Sequence, residues 1–194
     1  MATHPAIDSS LGLRQQLGLR AGASPADVDQ AIARLEEAVL TIPERYLHLP
    51  RGEEITAGLQ AKFSVQNAVA VGFVKGTAGP RDFSDDIASD PQIRAFKKVL
   101  RMAGEANIAR DSARMVGRLR DGTTLTSSIE HGSGNPGHPM SDADIRAKLL
   151  DAGRDVIDAA SLDRLAGLVE HIEEVEDVST LLALVGGPAA TRGR

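Results

Sequence analysis

Lys62-Phe63-Ser64-Val65-Gln66-Asn67-Ala68-Val69-Ala70-Val71-Gly72-Phe73-Val74-Lys75-Gly76 is the stretch around which the rest of the chain is read. From Ser64 to Gly76 its only polar side chains beyond the first serine are Gln66, Asn67 and Lys75. As a helix it carries Ser64, Ala68, Gly72 and Gly76 on one strip and Val65, Val69 and Phe73 on the next, because residues four apart share a face. A helix with almost no polar face is a buried one, and this one is far shorter than the roughly 20 apolar residues of a membrane span. Ser64 is a suitable N-cap. The free N–H groups near Gln66 and Asn67 would then form a corner that attracts carboxylates or phosphates. The small-residue strip is expected to lie on the domain's own sheet.

Composition narrows the function classes. The chain has 194 residues, 42% hydrophobic and 25% charged, with a net charge of −5. That is ordinary for a soluble globular protein, and it argues against nucleic-acid binding, which needs clustered Lys and Arg. Lys97-Lys98 and Arg118-Leu119-Arg120 are too short to alter this. There is no Cys, hence no disulfide framework, thiolate metal site or cysteine nucleophile. No signal peptide pattern opens the chain, and a cytoplasmic location is expected. Aromatic residues are 3% of the chain, so stacking of bases or sugars is not the expected mode of binding.

Outward from the buried helix, Pro5 to Gly18 reads as a helix, and Ser24-Pro25-Ala26-Asp27 as the start of another. Val28 to Leu40 is ambiguous: Ile32, Leu35 and Val39 fit a helix, whereas Ala38 to Ile42 fits a strand. Pro43 to Glu54 reads as a loop, and Thr56 to Lys62 as a short helical lead-in. Asp85 to Ala88 reads as one helical turn, and Pro91 onward as a helix with Ile93, Phe96, Val99 and Leu100 on its apolar side. Asp121-Gly122 joins two alternating runs, a strong hairpin signal. His131 to Met140 is an irregular loop rich in Gly and Pro. Ser141 to Asp144 resembles a capping box and opens a helix to about Gly153. Ser161 is read as the cap of a further helix, and Asp177 to Val185 as a last one.

Several pieces, taken in order, resemble the C-terminal domain of the MmgE/PrpD family. They are Thr3-His4-Pro5-Ala6-Ile7-Asp8, Lys62 to Ala70, Phe83-Ser84-Asp85, Asp90-Pro91, Leu119 to Thr123, Gly134-Asn135-Pro136 and Asp144 to Lys148. The resemblance implies an α+β fold: a two-layer α/β sandwich that acts as a lid over a larger all-helical domain. It favours a strand within Val28 to Leu40. The expected organisation is the lid domain over residues 1–153, a C-terminal helical extension over 154–185, and a disordered tail over 186–194. Members of the family act without a metal or organic cofactor on small di- or tricarboxylates, as lyases or isomerases. Their chemistry is proton transfer beside a carboxylate, which needs an acid, a base and anion clamps.

The resemblance makes His4 the catalytic candidate and places Ser64, Gln66 and Asn67 at the substrate. It also implies a helical-domain partner, or a homo-oligomer, because the chain is less than half the family's usual length and starts at the His-Pro-Ala-Ile-Asp motif. The Ser64–Asn67 end is expected to open toward that domain. The family often has Tyr or His where this chain has Asn67, and Asn binds a carboxylate without supplying a proton. The alternative is an inactive stand-alone remnant or an interaction module. His131 and His138 lack a third ligand for a metal, and the glycine-rich loop lacks the lysine and the strand–helix context of a phosphate-binding loop. Asp85-Asp86 reads as a solvated helix start, and the acidic run from Glu170 to Asp177 as an exposed face.

Overall fold

The computed structural model describes residues 3–47, 55 and 57–185. It comprises two compact units, Met1–Pro139 and Met140–Arg194. The first contains α1 (Thr3–Gln16), α2 (Pro25–Arg34), β1 (Leu35–Pro43), α3 (Gly58–Phe63), α4 (Val65–Lys75), α5 (Asp85–Ala88), α6 (Pro91–Val99), β2 (Leu100–Glu105), β3 (Ala113–Leu119) and β4 (Thr124–Ile129). The second contains α7 (Asp142–Gly153), α8 (Ala159–Glu170) and α9 (Ser179–Val185). This is an α+β fold.

The ambiguous segment resolves into both of its readings. Ser24 and Asp27 form a reciprocal capping box that starts α2, and the helix buries Val28, Ala31 and Ile32. At Leu35 the backbone turns to φ −75° and ψ 128°, so β1 follows without a loop. The apolar run from Ala38 to Ile42 then pairs as the inner part of a four-stranded sheet of order β2-β1-β3-β4. β1 is parallel to β2, with Leu40 opposite Met102, and antiparallel to β3, with Leu40 opposite Met115. A parallel neighbour requires a crossover, and α3 to α6 provide it.

β2 was not legible in the sequence. Leu100 reads there as the last apolar residue of a helix; in the structure it is the first residue of the strand and is buried beside Ala38. The hairpin of β3 and β4 stands as expected, but its turn is three residues long. Leu119 C=O accepts from the Gly122 N–H at 3.0 Å, and Leu119 N–H donates to Thr123 C=O at 2.8 Å. Gly122 takes a positive φ of 87°, the geometry of a turn followed by a bulge.

One face of the sheet meets the helices. Leu13 of α1 lies against Gly117 of β3, where a Cβ would come within 2.7 Å of it. Gly12 lies so close to Ser127 of β4 that a Cβ would overlap the hydroxyl. The other face carries Glu37, Arg101, Arg114 and Arg118, tied by exposed ion pairs such as Arg118 Nε to Glu36 at 2.9 Å. Phe73 of α4 and Phe96 of α6 stack with centroids 3.9 Å apart and planes 10° from parallel. The large strip of α4 therefore faces α6 across the core.

The small strip does not lie on the sheet, contrary to expectation. A Cβ on Gly72 would stand 3.0 Å from Ser10 Oγ and 3.1 Å from Ile7 Cγ2, and one on Gly76 3.0 Å from Arg14 Nε. The strip packs on α1, because two helices in one layer need small residues where their backbones approach. In the second unit, Asp158 rather than Ser161 caps α8: its carboxylate accepts the Ser161 N–H at 3.0 Å. An ionised carboxylate three residues ahead outcompetes the hydroxyl of a residue already in the first turn. Ser141 and Asp144 form the expected box at α7, and Arg146 bridges Asp163 and Glu170 of α8. Most of the Pro43–Glu54 loop and the 186–194 tail lie outside the described residues.

Candidate functional site

The contacts of α1 with α4 fix their relative direction. Ile7 and Ser10 meet Gly72, and Arg14 meets Gly76, so the two helices run parallel. Their N-termini therefore lie at one end of the pair, and the same register puts His4 level with Gln66. Two N-termini at one end place two sets of free N–H groups and two positive dipole ends together, which favours an anion there.

Ser64 is both the last residue of one helix and the cap of the next. It terminates α3 at φ −95° and ψ 116°, and its Oγ accepts the Asn67 N–H of α4 at 3.3 Å. Ser64 and Asn67 are fully buried, whereas Gln66 is partly exposed. Asn67 is the unusual member: neither its Oδ1 nor its Nδ2 has a hydrogen-bond partner. Buried amides are almost always paired, and leaving one unpaired costs about 1–3 kcal/mol for each group. His4 is exposed at the start of α1.

The loop after β4 closes over this end of α1. Ser133 N–H donates to Asp8 Oδ2 at 2.7 Å. Gly132 packs on Pro5, and a Cβ there would stand 3.4 Å from the Cβ of His4. Behind Gly132, His131 Nδ1 lies 2.6 Å from Asp111 Oδ2, and Asn135 Nδ2 donates to the same oxygen at 2.8 Å. The hydrogen bond with His131 is the chief cause that holds the Asp111 carboxyl below its ordinary range. Asp111 escaped the sequence reading: it lies in a polar connection between β2 and β3, and nothing in its spacing links it to His131. His138 approaches the His131 carbonyl at 3.3 Å. Among the described residues no group of three or more His, Asp and Glu side chains could hold a metal ion, and no helix is long and apolar enough to cross a membrane.

Arg14 also escaped the sequence reading. It is only 4% exposed, and its Nη1 donates to the Phe73 and Val74 carbonyls at 2.6 and 3.1 Å. It thus closes the C-terminal end of α4 while the candidate site lies at the other end. Asp85, read as a solvated helix start, has a definite job: its Oδ1 accepts the Gly58 N–H at 2.7 Å and holds the start of α3.

A comparison with curated proteins finds similarity to the cis-aconitate decarboxylase of Mus musculus, 25% identical over 195 residues. That match covers 97% of this chain and 38% of the relative's length. The sequence model of the MmgE/PrpD C-terminal domain matches residues 1–174. The segments that carry the candidate site, the HPAID start of α1, the KFSVQN stretch that leads into α4 and the GNP loop, all fall within that match, and the chain belongs to the MmgE/PrpD family.

Proposed function

We propose that this chain is the carboxylate-binding C-terminal domain of a cofactor-independent lyase or isomerase acting on small di- or tricarboxylates, in the manner of a 2-methylcitrate dehydratase. The observation that carries the reading is the parallel pairing of α1 and α4, which sets His4 at the same end as the Ser64–Asn67 corner. His4 is the proton-transfer candidate, since an imidazole can both accept and donate a proton. Ser64, Gln66 and Asn67 orient the substrate's carboxylates. The unpartnered Asn67 amide supports this: it holds hydrogen-bonding capacity in reserve at a dry position.

Turnover depends on a helical domain supplied by a partner chain. Leu59 and Phe63 support such a partner: they share one face of α3, next to the site, and are 70% and 66% exposed. The chain alone is expected to bind a tricarboxylate without turning over 2-methylcitrate or cis-aconitate. Addition of a family helical domain is expected to restore activity. Robust turnover by the isolated chain would refute the dependence on a partner.

Asn67 also favours a second reading, a binding module without catalysis, because an amide does not hand over a proton at neutral pH. One variant separates the amide's ligand role from a packing role. Asn67→Leu is expected to stabilise the fold by about 1–2 kcal/mol, since it removes an unpaired buried amide at similar volume. It is expected to abolish tricarboxylate binding in calorimetry. A variant that loses stability and keeps binding would place Asn67 in the core alone.

A further inference from the structure

The loop that closes over α1 carries an oriented imidazole with no part in the roles assigned so far. Its hydrogen bonds determine which nitrogen holds the proton. Asn135 Oδ1 accepts the Gly137 N–H at 2.9 Å, which fixes the amide so that Nδ2 points at Asp111. Asp111 Oδ2 therefore receives a donor from Asn135 and a second contact from His131 Nδ1. An ionised carboxylate only accepts, so His131 Nδ1 carries the hydrogen, and in the neutral imidazole Nε2 presents a lone pair. The His131 side chain is 45% exposed. Gly137 lies over the ring, and a Cβ there would come within 2.5 Å of Cδ2 and 2.9 Å of Nε2. Glycine at 137 leaves open the nitrogen that any side chain would cover. The next residue, Gly132, touches His4 and Pro5, so this imidazole belongs to the same end of α1 as the carboxylate corner.

The geometry points to His131 as a specificity-determining residue, whose Nε2 accepts the hydroxyl of a hydroxy-substituted polycarboxylate, with Asp111 as the residue that positions it. This rests on the carboxylate-binding reading of the His4 and Ser64–Asn67 end. A lone pair gives nothing to a carboxylate oxygen and binds a hydroxyl hydrogen well, so the dyad adds selectivity that the anion corner lacks. A polar group placed for a substrate hydroxyl penalises the analogue without it.

Two probes differ in that group alone. Citrate carries three carboxylates and a hydroxyl; tricarballylate carries the same three carboxylates and no hydroxyl. Titration of the full chain with each is expected to show citrate bound about five- to tenfold more tightly, the worth of one net hydrogen bond. His131→Gln and Asp111→Asn are expected to bring the two affinities together while tricarballylate binding stays as it was. In Asp111→Asn, 15N shifts of the His131 ring are expected to report the hydrogen moving to Nε2, a change that a purely structural clasp would not link to ligand choice. Circular dichroism of both variants checks that the loop's loss of a bond has not unfolded the domain. Equal affinities in the wild-type chain, or a citrate preference that survives in His131→Gln, would overturn the role of His131 and leave the carboxylate corner standing. Failure of both probes to bind at millimolar concentration would overturn the corner and the role of His131 with it.

Discussion

Arg14 takes a permanent charge into a layer of apolar helices and meets there the end of α4, where carbonyls lack intrahelical partners. Its bonds to the Phe73 and Val74 carbonyls oppose the cost of desolvation, which pulls its pKa down. Gly76 makes the approach possible: it ends α4 at φ 75° and has no Cβ to meet the guanidinium. Arg14→Ala leaves two buried carbonyls bare and is expected to destabilise the fold by about 3 kcal/mol, read as a shifted midpoint in urea unfolding. Asp90 acts at the other kind of helix end. It caps α6, accepting from Gln92 N–H at 2.8 Å and from Lys75 Nζ at 2.5 Å. Burial raises its pKa, but the bonds from Lys75 and Gln92 and the lysine charge outweigh that, and the net direction is down. A carboxyl depressed in the folded state contributes stability above its ordinary value of 3.8, and this is lost as pH falls through the lower folded value. Asp90→Asn is therefore expected to lower the melting temperature at pH 7 by about 2–4 °C, the equivalent of roughly 1 kcal/mol. The gap between the two proteins should narrow in melts taken at pH 3 and below; a gap of constant size would mean that the cap, and not the charge, is responsible.

At the scale of elements, the α1–α4 pair decides where the proposed site lies, and Gly72 decides how closely the pair packs. Gly72→Ala forces a methyl to within about 3 Å of Ser10 and Ile7. The alanine's better helix propensity, about 1 kcal/mol, is set against overpacking of about 1–3 kcal/mol. A net loss of stability is expected, read by thermal melting, together with weaker tricarboxylate binding as His4 shifts against the Ser64 corner. Unchanged binding would mean that the two helix starts act separately. The apolar content of α4 was legible in the sequence because burial of one helix depends on its own side chains. Its neighbour was not, since a small strip fits a sheet or a helix equally and the choice rests on Ile7, Ser10 and Arg14, more than fifty residues away in the chain. The start of β1 was half legible for a related reason: propensity marks Ala38 to Ile42 as strand-like, but only pairing with β2 and β3 ends the helix at Arg34. β2 itself, Leu100 to Glu105, has one strongly apolar residue buried at its head and two exposed residues at its end, so no alternation announces it. Among the candidate site residues, His4, Ser64, Gln66 and Asn67 could be named from the resemblance, while Asp111 could not, because its partner His131 is reached only through the fold of two loops.

For the whole molecule, the division into Met1–Pro139 and Met140–Arg194 can be argued from where the core ends. The main hydrophobic cluster runs from Ala6 to Leu119, with Leu125 packed at its margin. Among the described residues, none after β4 belongs to it. The second unit holds its own small core, in which Leu162 of α8 lies against Gly153 at the end of α7, and Leu165 and Ala166 are buried beside it. It exposes Ile145, Val156, Val178 and Leu182 by about half or more of their surfaces. A unit that contains the whole sheet and α1 to α6 is large enough to fold alone, since domains of 100–150 residues commonly do. Three short helices with few buried side chains are not. A fragment of residues 1–139 is therefore expected to unfold cooperatively in urea with a midpoint close to that of the full chain, and to keep the citrate-to-tricarballylate ratio. The fragment 140–194 is expected to give no cooperative transition. If the first fragment instead unfolds broadly or precipitates, the second unit contributes to the core despite its separate packing. If it folds and loses the ligand ratio, α7 to α9 act on the site rather than on stability.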